Sequence, residues 1–208
     1  MFLIGFIVLI FSIILHEVAH GWMADRLGDP PPRLSGRLTL NPLPHIDPLM
    51  SVFLPLLLIL SGSPVIFGSA KPVPIDPFNL RGGRKDLGLV GLAGPGTNLI
   101  LAVAAALIFK LLTLFPPLPA DYFILFLLKT AVFYNLLLAA LNLIPLPPLD
   151  GSRILGAILP PEQARVLDAL EPYGIFIIFF LLFFPIGGFS LAHLIFGLAS
   201  FWMGLLGF

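Results

Sequence analysis

The sequence predicts an all-α polytopic membrane protein with about five transmembrane helices, a re-entrant segment and a short β element. Of the 208 residues, 58% are hydrophobic and only 11% are charged, and the mean hydropathy is +1.05. Soluble domains carry about 25% charged residues, so this composition is typical of a chain embedded in lipid. The formal net charge is zero, which argues against nucleic acid as a partner. The chain has no cysteine, so disulfides and thiolate metal sites are excluded.

Apolar stretches of about 20 residues, the length of a bilayer crossing, predict the helices. We expect five of them: residues 2–24, 86–114, 122–144 and the two parts of 172–207. A Pro-Ile-Gly-Gly break at 185–188 separates those last two parts, of which the first is short. Residues 161–170 are amphipathic and are expected at the membrane interface. The glycines Gly91, Gly94 and Gly96 are expected to allow close packing between helices.

The region between the first two helices is expected to hold the irregular elements. Residues 34–40 alternate apolar with polar side chains, which is typical of a strand. Residues 49–67 are apolar, but Pro55, Gly62 and Pro64 make a straight helix unfavourable. We therefore expect this stretch to be re-entrant and buried against protein. Basic residues flank it on both sides, and basic loops stay cytoplasmic, so we expect these loops on the cytoplasmic side.

The most informative motif is His16-Glu17-Val18-Ala19-His20, which lies within the first apolar stretch. Two histidines four residues apart share one face of a helix, about 6 Å apart along it, and can bind one zinc ion. Glu17 is then placed to reach a water on the metal. Ionisable side chains are costly in lipid and are usually functional there, so the motif predicts metal-dependent hydrolysis inside a membrane.

A catalytic zinc site needs a third protein ligand in addition to the two histidines. Asp150 is the best candidate, because it follows the third apolar stretch on a chain that Pro145, Pro147 and Pro148 keep out of helical conformation. The alternative is an ordinary Asp-Gly turn at the interface. Competing donors are His45, Asp47 and His193.

Together these segments resemble a known family. His16 to His20 in one core helix, followed by Asn142 to Gly151 after a later one, is similar to the site-2 protease family of intramembrane zinc metalloproteases. Three more segments resemble its compact bacterial and archaeal branch: Asn41 to Pro48, Gly68 to Pro74 and Leu92 to Asn98. The resemblance covers about residues 10–155, which we expect to form the core of a single membrane-embedded metalloprotease domain spanning residues 1–208. Residues 156–208 are expected to add C-terminal helices to that core.

The resemblance implies three core helices, a zinc ion held by His16, His20 and Asp150, and a catalytic Glu17. It also implies that Asn142, eight residues before Asp150, supports the site and the oxyanion. Ser69 departs from the family pattern, in which an aromatic residue is expected, and this puts substrate delivery rather than chemistry in doubt.

Three further residues are candidates for contacts around the zinc ligands. His45 and Asp47 could hydrogen-bond the zinc histidines, or they could simply form a rigid turn between Pro42 and Pro48. Asn98 could hydrogen-bond towards the site or only across helices.

The predicted function is therefore an intramembrane zinc endopeptidase with one Zn²⁺ per chain. We expect it to hydrolyse peptide bonds in or near the transmembrane helices of membrane protein substrates, as in regulated intramembrane proteolysis. The expected location is a prokaryotic cell membrane, with the active site towards the cytoplasm. The alternatives are a metal-binding transporter and an inactive protease-like scaffold. A transporter would need polar residues in several helices, and the last two predicted helices have almost none.

Overall fold

The computed structural model describes residues 2–53, 56–57, 60–61, 70–114, 121–188 and 190–208. This part of the chain is predominantly α-helical, in agreement with the predicted fold class. Its α-helices, in chain order, are α1 Phe2–Leu27, α2 Pro31–Leu34, α3 Arg84–Thr113, α4 Asp121–Asn142, α5 Asp150–Ile158, α6 Pro161–Ala169, α7 Glu171–Phe183 and α8 Leu191–Leu205. Short 3₁₀ turns occupy Leu43–His45 and Pro77–Asn79, and a π-helical turn occupies Pro48–Phe53.

Three of the described helices, α1, α3 and α4, are long and apolar enough to cross a membrane. They correspond to the first three predicted helices, which are confirmed. Helices α6 and α7 pass the same test only as a pair bent by 67°, which would make a fourth span. Helix α8 has 15 residues, fewer than the roughly 20 that a straight crossing needs. The described residues therefore contain three to four spans, whereas the sequence predicted about five.

Helix α3 lies at the centre of the bundle and packs against α1, α4 and α5. Its contact with α4 uses small side chains, Ala102, Ala105 and Ala106, which pack with Val132 and Leu136 in one buried cluster. Small residues let two helix backbones approach closely, and this is how helices associate where lipid removes the hydrophobic drive. Leu191 and Ile195 of α8 close the same cluster.

Glycines on α3 bring α5 close to it. A methyl group at Gly91 would lie 2.9 Å from Cβ of Arg153 and 3.1 Å from the Asp150 carbonyl oxygen, and one at Gly88 would collide with Ala157. Close packing is therefore confirmed for Gly91. No atom of the described residues lies within 4 Å of the position where a Cβ at Gly96 would stand, so in this part of the chain the prediction of close packing was wrong for Gly96.

The strand predicted at residues 34–40 is not found, because these residues form the end of α2, a turn and a series of bends. The buried Arg37 guanidinium donates to the Pro44 carbonyl, and His45 Nε2 donates to the Thr39 carbonyl at 2.9 Å. These contacts fold the chain back on itself through side chains. The described part of the chain offers no neighbouring strand that could pair with it, and an isolated strand is not stable.

The re-entrant segment predicted at 49–67 falls mostly outside the described residues, so it stays a prediction. Its described beginning is the π-helical turn Pro48–Phe53, where the Asp47 carboxylate accepts from the Leu49 amide at 2.8 Å. The amphipathic piece predicted at 161–170 is confirmed as α6, and its Asp168 pairs with Arg84 of α3 at 2.7 Å.

Candidate active site

Three predicted ligands meet between α1, α3 and α5. His16 and His20 project from α1, and Asp150 is the first residue of α5. Asp150 Oδ2 lies 3.1 Å from Nε2 of each histidine, and the two Nε2 atoms are 3.0 Å apart. Their residues are only 6%, 4% and 7% exposed. The three donors could therefore hold a metal ion, as the sequence proposed.

The other nitrogen of each imidazole is bound to an acceptor on α3. His16 Nδ1 donates to Asn98 Oδ1 and His20 Nδ1 donates to the Val90 carbonyl oxygen, both at 2.6 Å. A carbonyl oxygen has no proton to give, so each imidazole carries its proton on Nδ1. The lone pairs on Nε2 then point at each other and at a carboxylate oxygen. This is the arrangement that a cation between them stabilises, and hydrogen bonding of the outer nitrogen is usual for metal-binding histidines.

The donor set fits zinc. Two imidazole nitrogens and one carboxylate oxygen form a common catalytic zinc shell that leaves a fourth position open. Gly94 of α3 leaves room for a metal ion, because a methyl group there would stand 2.6 Å from His16 Nε2 and would also collide with His20. The missing side chain thus leaves open the space in front of both nitrogens.

The sequence after α4 brings Asp150 into this position. Proline at 145, 147 and 148 cannot continue the helix, and α5 begins only at Asp150. Gly151 allows the tight fold, because a Cβ there would collide with the carbonyl oxygens of Leu143 and Ile144. Arg153, one turn along α5, places its guanidinium 3.9 Å from the other carboxylate oxygen, Asp150 Oδ1.

The charge state of Asp150 suits a cation site. Burial raises the pKa of the Asp150 carboxyl, but the hydrogen bonds and positive charge that His16 and His20 supply when their Nε2 atoms are protonated lower the pKa by more, and a cation at the same place would act in the same direction. The net result is a pKa below the ordinary value, so the group is ionised at neutral pH and offers a full negative charge to a metal ion.

Glu17 lies on the next position of α1 and is half-buried. Its Oε2 accepts from the backbone amide of Val73 at 3.0 Å. Val73 belongs to a stretch without regular secondary structure, residues 70–76, that is fixed at its far end by the buried Asp29. The Asp29 carboxylate accepts from the Asp76 amide at 3.0 Å and from the Asn79 side chain at 2.8 Å. The segment between α2 and α3 thus orients the Glu17 side chain through one of its backbone amides.

The comparison with known proteins identifies the family. The chain is 38% identical over 192 residues to "Putative zinc metalloprotease YwhC" of Bacillus subtilis. The aligned region covers 89% of this chain and 82% of that protein. The chain belongs to peptidase family M50. A sequence profile of this family matches residues 119–184. The predicted site-2 protease resemblance is thereby confirmed, and the transporter alternative is not favoured.

Two other M50 relatives are longer than this chain. "Putative zinc metalloprotease Rip2" of Mycolicibacterium smegmatis is 36% identical over 180 residues, which is 84% of this chain but 64% of that protein. The protein of the same name from Mycobacterium tuberculosis strain H37Rv is 34% identical over 179 residues, with the same two coverages. No solved structure matches the chain.

The remaining predicted residues differ in whether they contact the three candidate zinc ligands. Asn98 contacts one of them, His16, directly. His45 is buried, but its ring donates to Thr39 in the loop, and Asp47 caps the π-helical turn. These contacts fit the rigid-turn interpretation of both residues. Asn142 donates to the Leu138 carbonyl at 3.0 Å within its own helix. The competing ligand His193 is exposed on α8.

Three contributors were not singled out as site residues from the sequence. Gly94 was expected to serve helix packing alone, although it stands against both histidines. Asn135 of α4 donates to Ser12 Oγ at 2.9 Å and accepts from Asn98 at 2.8 Å. A polar side chain in an apolar helix is itself a signal for Asn135. For Ser12 the signal is its spacing, because residues 12, 16 and 20 share one face of α1.

Proposed function

We propose that this M50 protein hydrolyses peptide bonds in or near the transmembrane helices of membrane proteins, using one zinc ion held by His16, His20 and Asp150. The observation that carries the proposal is the convergence of these three donors on the face of a helix that is long and apolar enough to cross a membrane. All residues from 1 to 208 are proposed to form one membrane-embedded protease domain.

The chemistry follows from the residues at the site. Zinc, when bound, supplies a Lewis acid that polarises a peptide carbonyl and makes water nucleophilic near neutral pH. Glu17 would take a proton from the attacking water and return it to the leaving amine. Glu17 Oε2 accepts a hydrogen bond from the Val73 amide, so the carboxylate is already oriented. A fixed base loses less entropy on reaching the reactive geometry.

Asn142 is the proposed donor to the developing oxyanion. Its side-chain amide now donates to the Leu138 carbonyl, so this role requires the side chain to turn away from that acceptor. Preorganised donors aimed at the oxyanion contribute about 10²–10³-fold to rate. Replacing Asn142 by Ala is therefore expected to lower kcat more than zinc content.

The burial of the site constrains the form of the substrate. In a transmembrane helix every peptide carbonyl in the middle accepts a hydrogen bond from the residue four positions later, and side chains surround the backbone. Such a helix cannot present a peptide bond to donors that are less than one-tenth exposed. The substrate would have to unwind locally before attack.

We propose that the site faces the cytoplasm. Seven basic residues lie in the last turn of α1, in the segment that follows it or in the first turn of α3: Arg26, Arg33, Arg37, Lys71, Arg81, Arg84 and Lys85. Basic loops are retained on the cytoplasmic side of bacterial membranes. The far ends of α3 and α4 have Lys110 and Lys129, whose long side chains can reach the opposite interface.

The decisive experiment compares purified wild type, Glu17→Gln and Asp150→Ala for zinc content and for cleavage of a transmembrane substrate in detergent or vesicles. Glu17→Gln should keep one zinc per chain and lose turnover, because it removes the base but no ligand. Asp150→Ala should lose both zinc and turnover, because two histidines alone form an incomplete shell. Normal cleavage by Glu17→Gln would refute the proposed mechanism. Full zinc occupancy in Asp150→Ala would assign the third ligand elsewhere.

A further inference from the structure

A line of buried side-chain amides leads from the zinc site into α4. Asn98 and Asn135 are 0% and 2% exposed. Asn98 Nδ2 donates to Asn135 Oδ1 at 2.8 Å, and Asn135 Nδ2 donates to the Ala131 carbonyl oxygen at 2.9 Å. At the other end of the line, Asn98 Oδ1 accepts a hydrogen bond from His16 Nδ1. We propose that Asn135 is a positioning residue that keeps His16 in its zinc-binding tautomer through Asn98, an inference that rests on the proposed zinc site.

The direction of every bond in this line is fixed at its far end. The Ala131 carbonyl oxygen can only accept, so the amide nitrogen of Asn135 must face it. Asn135 then presents its oxygen to Asn98. This oxygen also can only accept, so Asn98 must turn its nitrogen towards Asn135 and its oxygen towards His16. A backbone carbonyl of α4 thus determines which imidazole nitrogen of His16 carries the proton.

Without Asn135 the same amide would be free to reverse. The two ends of an asparagine amide are nearly identical in shape, so a half-turn of Asn98 costs little in packing. The reversed amide would present N–H to His16 Nδ1, which would then act as acceptor and move the imidazole proton to Nε2. A protonated Nε2 has no lone pair for zinc, so the metal would first have to displace that proton.

The first test measures zinc affinity by competition with a chelator in purified full-length protein. Asn135→Leu removes all three side-chain hydrogen bonds of Asn135, to Asn98, Ser12 and Ala131, and should weaken zinc binding about 10- to 100-fold, the range found for residues that orient metal ligands. Asn135→Asp keeps an oxygen that accepts from Asn98, so it should stay within a few-fold of wild type. Thr130→Val is the matched control: it removes a side-chain bond to a backbone carbonyl of α4, from Thr130 Oγ1 to Phe126 at 2.7 Å, but leaves Asn98 and Asn135 untouched, so it should bind zinc normally.

The second test separates orientation from simple damage to packing. Asn98→Asp offers only acceptor oxygens to His16, so its polarity no longer depends on Asn135. The double variant Asn98→Asp with Asn135→Leu should therefore recover most of the affinity that Asn135→Leu loses. In metal-free protein, at a pH high enough for the His16 ring to be neutral, its ¹⁵N shifts should report the Nδ1–H tautomer in wild type and in the double variant, and a mixture in Asn135→Leu.

Each outcome decides the inference. Wild-type zinc affinity in Asn135→Leu would overturn it, and so would a double variant no better than Asn135→Leu, because packing alone would then explain the loss. If wild-type protein bound no zinc, the proposed function itself would fail. The ¹⁵N measurement would still show whether Asn135 controls the tautomer of His16.

Discussion

Gly94→Ala is the substitution for which the structure gives the sharpest expectation. The added methyl carbon would stand 2.6 Å from both Nε2 and Cε1 of His16, and it would also collide with Nε2 of His20. Ordinary van der Waals separations are about 3.5–4.0 Å, so the imidazoles or α3 must move by roughly 1 Å. Metal–ligand distances tolerate only about 0.2 Å. We expect zinc affinity to fall by at least about 100-fold, the upper end of the effect of losing a residue that only orients a ligand.

Gly96→Ala is the matched control, because it lies two residues away on the same helix and its added methyl group would have no atom of the described segments within 4 Å. Both substitutions replace glycine by alanine inside a helix, which favours folding by about 0.5–1 kcal/mol. Zinc content after dialysis against graded chelator, together with thermal unfolding, would compare the two variants. Equal zinc affinity in Gly94→Ala and Gly96→Ala would refute the geometry described for the site.

Other predictions concern the loop, the topology and the substrate. Asp29→Ala should lower the free energy of unfolding by about 3 kcal/mol, because the Asp76 amide and the Asn79 side chain both lose their acceptor, and Asp29→Asn, which keeps one acceptor oxygen, should lose less. The chain has no cysteine, so single cysteines can be introduced directly. Cysteines at Ser35 and Phe78 should react with an impermeant reagent from the cytoplasmic side, and one at Leu114 from the opposite side; labelling of Ser35 and Phe78 from opposite sides would contradict the re-entrant prediction. Substrates with Gly or Pro near their cytoplasmic end should be cut faster than uniform Leu/Ala helices, measured as initial rates, and equal rates would show that unwinding is not limiting.

The part of the candidate site that could be proposed from the sequence consists of charged or ionisable residues in apolar surroundings. His16, Glu17 and His20 stand out because lipid penalises such groups unless they have a use. Asp150 stands out because the prolines before it end the membrane helix and leave this acid just beyond that end. For these residues the type and the spacing carry the information, and both are local properties of the chain.

Other contributors depend on how distant segments pack. Nothing near Gly94 in the sequence indicates that it faces two imidazoles from α1, since this follows from the crossing of α1 and α3. The strand at 34–40 was wrong for a related reason. Alternation is typical of a strand, but here the polar Arg37 turns inwards to a carbonyl of its own loop. Hydrophobic patterning cannot distinguish these outcomes when a long side chain supplies the hydrogen bonds.

The separation of the ligands along the chain has a consequence during synthesis. His20 and Asp150 are 130 residues apart, and the two histidines lie near the start of the chain. At about 5–20 residues per second, a ribosome needs roughly 7–26 seconds between completing the histidine pair and adding the aspartate. A nascent chain inserted in the membrane therefore contains Glu17 and only part of a zinc shell for that interval. With the proposed ligand set, the enzyme would be silent while it is being made, because its zinc shell stays incomplete until α5 has joined the bundle.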